Sequence, residues 1–313
     1  MSSQPKIVLS VVIVSYNVKD FVLDAISSIY QFCSVSTQII VADNNSNDGT
    51  IEAIKTQFPD VILIENKENV GFSAANNQCF ELCEGDYVLM LNPDAKLIDN
   101  SFMKMFEHLP GAKDTENILI GPKLINTDNT HQVSCWKFPS PLQHLLELFF
   151  LNVFIDTTVY KSDELKQTTQ VDFLSGACIL MRKTTLNILK GLDVNLFWMD
   201  DVDFGKRNIL NGGKNIYFPE ATVKHHIGQS SKKNQNIVIS NQIISKLKFY
   251  KKHHQLFYFY SSVPIFLLQI LTRIPLFFIV GIIKSTYMIK AKAYTYTLSK
   301  FFSYLVLGNQ NPM

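Results

Sequence analysis

The sequence predicts an α/β fold with a mostly parallel central sheet, and three observations predict it. Short apolar runs of strand length alternate four times with segments of helical period, an order that builds βαβ units with helices on both faces of a sheet. Several of these runs stop abruptly on polar residues, as Tyr87 to Leu91 stops on Asn92-Pro93-Asp94. Nearly half of the 313 residues are hydrophobic, ample for a sizeable core.

The first strand is Ile7 to Val14, a nearly continuous β-branched run that ends on Ser15-Tyr16-Asn17. From Lys19 to Tyr30, the residues Val22, Ile26, Ile29 and Tyr30 recur at helical spacing. A second strand, Gln38 to Ala42, closes on the polar stretch Asp43 to Thr50. A helix over Ile51 to Gln57 then leads to a third strand, Val61 to Ile64. Ser73 is placed to cap a helix over Ala74 to Cys83, after which comes the Tyr87 to Leu91 strand. Further on, the pattern gives a helix over Ser101 to Leu109 and a strand over Ile118 to Ile125. Asn126 to Gln170 has weak periodicity apart from an apolar stretch, Leu142 to Ile155. Ala177 to Met181 reads as a strand, Thr184 to Lys190 as a helix, and Asp201 to Leu210 as a helix stopped by Gly212-Gly213. Lys214 to Phe218 is strand-like, and Ala221 to Ser231 reads as a loop carrying His225 and His226.

The net charge of +2 hides a strong asymmetry. The first 220 residues hold 17 basic and 27 acidic side chains, whereas the last 93 hold 12 basic and no acidic ones. A basic, apolar and aromatic tail suits an anionic membrane surface better than nucleic acid, whose binders do not need long uncharged runs. The expected division is therefore a catalytic domain over 1–235 and a membrane-associated helical tail over 236–313. Within the tail, Ile237 to His254 is helical and Lys-rich, Leu256 to Thr272 is uncharged, Arg273 interrupts, and Ile274 to Ile283 is apolar again. The first uncharged run is roughly 25 Å long as a helix, marginal for a crossing, and Pro264 and Pro275 are expected to bend it. The expectation is a hydrophobic helix or helical hairpin lying in the inner leaflet, with a true span and a soluble packing helix as the alternatives. MSSQPKIVLS makes a poor signal peptide, which puts the catalytic part on the cytosolic side. Five cysteines without a CxxC pair argue against a disulfide framework, and Cys79 and Cys83 read as buried packing residues.

Polar clusters at the carboxyl ends of parallel strands converge on one crevice even when they are far apart in sequence. Ser15-Tyr16-Asn17, Asp43 and Asn92-Pro93-Asp94 are such clusters. There is no GxGxxG after the first strand and no GxxxxGK[ST], so neither a dinucleotide fingerprint nor a P-loop is indicated. Ser15 to Val18 is not the Gly-rich basic loop of a nucleotidyltransferase either. What remains suits a nucleotide recognised by carboxylates and amides, its diphosphate held through Mg²⁺ or Mn²⁺ with Asp94 as a ligand. The bland alternatives are turn chemistry at Asn92 to Asp94, capping at Asp43, and an acid-rich helix start at Asp200, Asp201 and Asp203.

Seven motifs in order carry a family resemblance: VVIVSYN (Val11 to Asn17), VADNNSNDGT (Val41 to Thr50), ENVGFSAANN (Glu68 to Asn77), LNPDA (Leu91 to Ala95), FLSGACILMRK (Phe173 to Lys183), WMDDVDFGKR (Trp198 to Arg207) and HHIGQSS (His225 to Ser231). The chain resembles a family 2 glycosyltransferase of the bacterial rhamnosyltransferase-like branch. That resemblance implies a GT-A fold and inverting transfer of a sugar, with rhamnose the leaning, from a UDP or dTDP donor to a hydroxyl of a lipid-linked or polysaccharide acceptor in cell-surface glycan synthesis, at the cytoplasmic face of the plasma membrane. It implies Asp201, beside Asp200, as the catalytic base. It also implies Ser15, Tyr16, Asn17, Asp43, Asn45, Gly71, Asn76, Asn92 and His225 as the donor-binding set, with Asp94 and His225 at the metal. Two departures stand out: Asn92 replaces the first acid of the DxD-like motif, and Asp200 stands where Glu is usual. The alternative function is a catalytically inactive relative that binds sugar nucleotide as a scaffold at the membrane.

Overall fold

The computed structural model describes residues 7–109, 116–155, 157–160, 165–226 and 235–307. They form two compact units, one drawn from Met1–Lys137, Val159–Val194 and Asp200–Ser230, the other from Phe138–Thr158, Asn195–Met199 and Ser231–Met313.

The first unit opens with β1 (Leu9–Ser15), α1 (Lys19–Phe32), β2 (Thr37–Asp43), α2 (Thr50–Gln57), β3 (Ile62–Glu65), α3 (Phe72–Glu81) and β4 (Tyr87–Leu91). It continues through β5 (Ala95–Leu97), α4 (Ser101–His108), β6 (Ile118–Ile125), β7 (His131–Gln132) and β8 (Cys135–Trp136). After α5 (Pro141–Leu148) of the other unit come β9 (Thr169–Val171), β10 (Phe173–Leu174), β11 (Cys178–Arg182), α6 (Lys183–Leu189), α7 (Asp200–Leu210) and β12 (Lys214–His225). The main sheet runs β3-β2-β1-β4-β11-β6-β12-β5. β3, β2, β1 and β4 are parallel, as are β6 and β12, whereas β11 is antiparallel to both β4 and β6.

Strand alternation divides the core into two layers. Val11 and Ile13 of β1 face Val22, Ile26 and Phe102 of α1 and α4, while Val12 and Val14 face Ala75, Cys79 and Phe204 of α3 and α7. All five cysteines are free, and Cys79 and Cys83 are buried in or beside α3. β1 is followed by β2 on one side and flanked by β4 on the other, so the strand order reverses there. The carboxyl ends of β1 and β4 therefore border the crevice where open α/β sheets bind ligands.

The turn into β4 is fixed by close approach. The Gly85 N–H donates to Ser10 Oγ at 2.9 Å, and a Cβ on Gly85 would lie 2.6 Å from the Ser10 backbone nitrogen. Gly85→Ala is expected to destabilise the first unit by about 3 kcal/mol, read as a lower denaturant midpoint with an unchanged m-value.

Two local expectations need correction. Ser73 does not cap α3: Gly71 does, at φ 88°, and Ser73 is buried in the first turn. The positive φ needs glycine, and Asn69 Oδ1 accepts from the Gly71 N–H at 3.0 Å to hold the turn. His225 is not in a loop. β12 continues past an irregularity between Phe218 and Thr222, pairs Val223 to His225 with β5, and ends on His225 opposite Ala95. Pro219-Glu220 marks that irregularity rather than the end of the strand.

The second unit holds α5, a 3-10 turn at Leu151–Val153, α8 (Gln235–Lys252), α9 (Leu256–Ile283) and α10 (Ser285–Leu307). Among the elements, α9 runs as one helix through Pro264, Arg273 and Pro275 and is long and apolar enough to cross a membrane by length and composition. Phe138–Thr158 joins this unit through buried contacts: His144 Nε2 lies 2.7 Å from Tyr250 Oη, and Arg273 donates to the Glu147 carbonyl at 2.7 Å. α10 falls within the helical tail expected over 236–313, although the sequence does not mark it as a separate element.

Candidate active site at the carboxyl edge of β1, β2 and β4

At the end of β2, Asp43 is fully buried. Its Oδ1 accepts from the Ser46 N–H at 2.8 Å, while Oδ2 has no partner. A buried carboxylate oxygen left unsatisfied is costly, so Asp43 calls for a donor from a ligand. Ser15 Oγ, at the end of β1, is likewise buried and unpartnered. Asn17 takes a left-handed backbone, donates its N–H to Ser46 Oγ at 2.8 Å, and accepts at Oδ1 from the Asn47 N–H at 2.8 Å. These bonds tie the β1 end to the loop after β2, with Tyr16 half-buried between and Asn45 exposed at φ 65°. Asn44, Asn66 and Gln78 form an amide network behind Asp43, with bonds of 2.9 and 3.0 Å from Asn66 Nδ2. Gly71 is open on its Cβ side. Asn76 is buried in α3 and donates to the Phe72 carbonyl at 2.9 Å.

At the end of β4, Asp94 is buried and its Oδ1 lies 3.2 Å from His225 Nε2. The β12 extension is what delivers this histidine. Its other nitrogen, Nδ1, lies 2.8 Å from Gln132 Oε1. The orientation of that amide is fixed, because Gln132 Nε2 donates to Asn126 Oδ1 at 2.9 Å and to the His225 carbonyl at 3.3 Å. Nδ1 must therefore carry the proton, and in a neutral ring the Nε2 lone pair points at a carboxylate. Two acceptors at that distance repel unless Nε2 is protonated or both serve one cation. Asn92 adds a buried Oδ1 without a partner, and its Nδ2 lies 3.5 Å from the same Nε2. Carboxylate, amide oxygen and imidazole make a donor set that fits a divalent cation completed by phosphate oxygens and water. His226 donates its backbone N–H to the Asp94 carbonyl at 2.8 Å, while its ring turns to other partners: Nδ1 meets Thr127 Oγ1 at 3.0 Å and the ring packs on Phe21.

Asp201 reaches the same edge by a short relay. The Asn92 N–H donates to the Ala177 carbonyl at 2.9 Å, and the neighbouring Gly176 N–H donates to Asp201 Oδ2 at 3.2 Å. The Val202 N–H reaches Asp201 Oδ1 at 2.8 Å. Burial pushes the Asp201 carboxyl up to about 6, against these N–H bonds, which pull it down. The three acids of the α7 start thus separate. Asp203 is fully buried and pairs with Arg207 at 2.7 Å, a structural ion pair; Asp200 is half-buried at the first helical residue; Asp201 faces Gly176.

Sequence reasoning missed Gln132, Asn126 and Thr127, which support the two histidines. Their residue types are ordinary for a turn, and a two-residue strand such as β7 shows no period. Ile227 to Ser231 of the last motif lie outside the described residues.

Comparisons with known proteins agree with this architecture. The chain is 27% identical over 240 residues to N-acetylglucosaminyl-diphospho-decaprenol L-rhamnosyltransferase of Mycobacterium tuberculosis, covering 72% of this chain and 78% of that one. Among solved structures, the mannosyltransferase PcManGT from Pyrobaculum calidifontis, in complex with GDP-Man and Mn²⁺, superposes with a TM-score of 0.56 at 15% identity, covering 98% of this chain and 89% of that one. GalNAc-T7 with UDP, GalNAc and Mn²⁺ gives 0.55 at 14% identity, covering 79% and 50%. Both likenesses show the fold, which is GT-A. The profile described as Glycosyl transferase family 2 matches residues 10–187, more than half of the chain. On that match the protein belongs to glycosyl transferase family 2, and it resembles the rhamnosyltransferase-like branch of that family.

Proposed function

We propose that the protein is an inverting, cation-dependent transferase that moves a sugar from a UDP or dTDP donor to a hydroxyl of a lipid-linked glycan at the cytoplasmic face of a membrane. Rhamnose is the favoured sugar, in keeping with the mycobacterial relative. The transfer chemistry belongs to the first unit and membrane association to the second.

The observation that carries this reading is the pairing of Asp94 with a His225 whose second nitrogen is committed to Gln132. Asp94, His225 and Asn92 would hold Mg²⁺ or Mn²⁺, and the bound cation would neutralise charge gathering on the departing diphosphate. Asp43 Oδ2 accepts the imide N–H of a uracil or thymine, satisfying its orphaned valence. Ser15, Tyr16 and Asn17 line the nucleotide side, and Gly71 leaves backbone room beside it. Asp201 takes the proton from the acceptor hydroxyl as its oxygen bonds to the anomeric carbon, while the bond from that carbon to the diphosphate oxygen breaks. Attack from the face opposite the leaving group inverts the centre. A carboxyl near 6 is ionised at neutral pH yet is a stronger base than an ordinary Asp, which suits this task.

The test incubates the full chain in mild detergent with Mn²⁺, a panel of UDP- and dTDP-sugars including dTDP-rhamnose, and a polyprenyl-diphosphate N-acetylglucosamine acceptor. Acceptor-dependent release of nucleoside diphosphate from one donor is expected. No release across the panel, with donor binding retained, would transfer the case to a non-catalytic binder.

A further inference from the structure

Among the apolar side chains that the second unit exposes are those of the turn after α5 and of the C-terminal half of α9, and one buried arginine joins these two places. α5 begins with Ser140 Oγ accepting from the Gln143 N–H, followed by Pro141 at the first helical position. Its last carbonyls, of Glu147 and Leu148, accept from Arg273 Nη2 of α9 at 2.7 and 3.4 Å. A guanidinium at a helix C-terminus satisfies both the free carbonyls and the negative end of the dipole. Arg273 is only 5% exposed, and its Cζ lies 3.3 Å from the centre of the Phe150 ring and 5.9 Å from that of Phe277. The residue that interrupts the apolar run in sequence is thus a clamp, seating the turn after α5 on α9.

Phe150 takes a left-handed backbone at φ 60°, and the chain beyond it forms the 3-10 turn. Around that turn Phe149, Val153 and Phe154 are 60, 77 and 84% exposed. On α9, Ile279 and Ile283 are 63 and 90% exposed. Lysines border this second patch: Lys290 Nζ lies 5.8 Å from the Phe277 ring and 5.1 Å from that of Tyr287, and Lys284 Nζ lies 5.9 Å from the latter. Glu147 is the single carboxylate among the described residues of this unit, and it is committed inward, 3.5 Å from Lys246 and 3.8 Å from His144.

We propose that the Phe149–Ile155 turn inserts into an anionic bilayer as a second anchor, contiguous through Arg273 and Phe277 with the apolar face of α9. The charge pattern chooses the occupant. A second copy of this face would oppose lysines to lysines, whereas anionic headgroups match them while the acyl region takes the aromatic and aliphatic side chains. Aromatic rings beside lysine stems are the composition of an interfacial rim. The inference rests on the membrane-associated reading of the function, and it adds that the anchor comes from two stretches of chain rather than from the C-terminal helices alone.

The test places an environment-sensitive fluorophore at Val153→Cys and, in a separate protein, at Ile283→Cys, both exposed positions in the full chain. Each labelled protein is mixed with vesicles of phosphatidylethanolamine and phosphatidylglycerol whose acyl chains carry bromine. Quenching of both probes is expected. Combined Phe149→Ser, Val153→Ser and Phe154→Ser should weaken partitioning roughly tenfold or more and leave the thermal shift given by UDP and Mn²⁺ unchanged. Quenching at Ile283→Cys but not at Val153→Cys overturns the second anchor and leaves membrane association standing. Quenching at neither overturns both. Lipid-free, concentration-dependent shielding of Val153→Cys assigns the turn to another copy of the chain and rejects the proposal.

Discussion

Asp201→Asn is expected to lose about 10³-fold or more in turnover while melting at a higher temperature than the wild type near pH 7. The substitution is nearly isosteric, and its single amide oxygen still accepts from one of the two N–H groups, of Gly176 and Val202, that the carboxylate now accepts from; the fold around α7 stays in place and the other bond is given up. What disappears is a proton acceptor and a buried charge. The carboxyl is held at about 6 by burial, against about 4 in an unfolded chain. The folded state therefore binds the extra proton more tightly. The stability linked to this group is complete below about pH 4 and is lost as pH rises through about 6. At neutral pH the ionised Asp201 thus costs at most about 3 kcal/mol, less whatever solvent screens at a half-buried site. The Asn variant should regain part of that, as a melting temperature several degrees higher. The wild-type rate should also fall with unit slope below about pH 6. A variant that keeps turnover within tenfold, or an acid limb near pH 4, would remove Asp201 from the role of base.

The second large effect concerns the pair at the end of β4. Mn²⁺ added with UDP should raise the melting temperature of the wild type, and Asp94→Asn should abolish that response. Gln132→Leu tests the geometry more finely. Without Gln132 Oε1, the His225 ring loses the acceptor that fixes its proton on Nδ1, and Nε2 is no longer reserved for the cation. The apparent Mn²⁺ affinity should fall by about 10- to 100-fold, with UDP binding in the absence of metal unchanged. A wild type that shows no response to Mn²⁺ at saturating UDP would leave the pair as a protonated His225 bound to Asp94, and the cation-dependent reading would go.

Much of the first unit was legible because its strands are buried on both faces and end sharply. The ranges expected for the strands at Tyr87–Leu91 and Ile118–Ile125 coincide with β4 and β6. Legibility failed where the reading depends on partners distant in sequence. The second half of β12 follows a proline and an irregularity, and only its pairing with β5 and β6 shows that it is strand. Gln132 gains its place from a hydrogen bond to a residue 93 positions away. Gly71 rather than Ser73 begins α3, since a left-handed turn there outweighs a hydroxyl cap. In α10, lysines, threonines and tyrosines dilute the apolar period, so local composition gives no helical face. The proposed site roles rest on chemistry that spacing alone cannot reveal: an orphaned oxygen on Asp43, a fixed tautomer at His225, and a half-buried carboxyl at Asp201.

Arg273 lies 126 residues downstream of the Glu147 carbonyl it caps. At roughly 5–20 residues per second of synthesis, the turn after α5 leaves the ribosome about ten seconds or so before its clamp exists. During that interval Phe149, Phe150, Val153 and Phe154 lack the α9 helix on which Arg273 seats their turn. A nascent chain in this condition is a client for chaperones or for a nearby lipid surface, and the order of synthesis thereby gives the membrane an opportunity to receive this segment before the rest of the protein is finished.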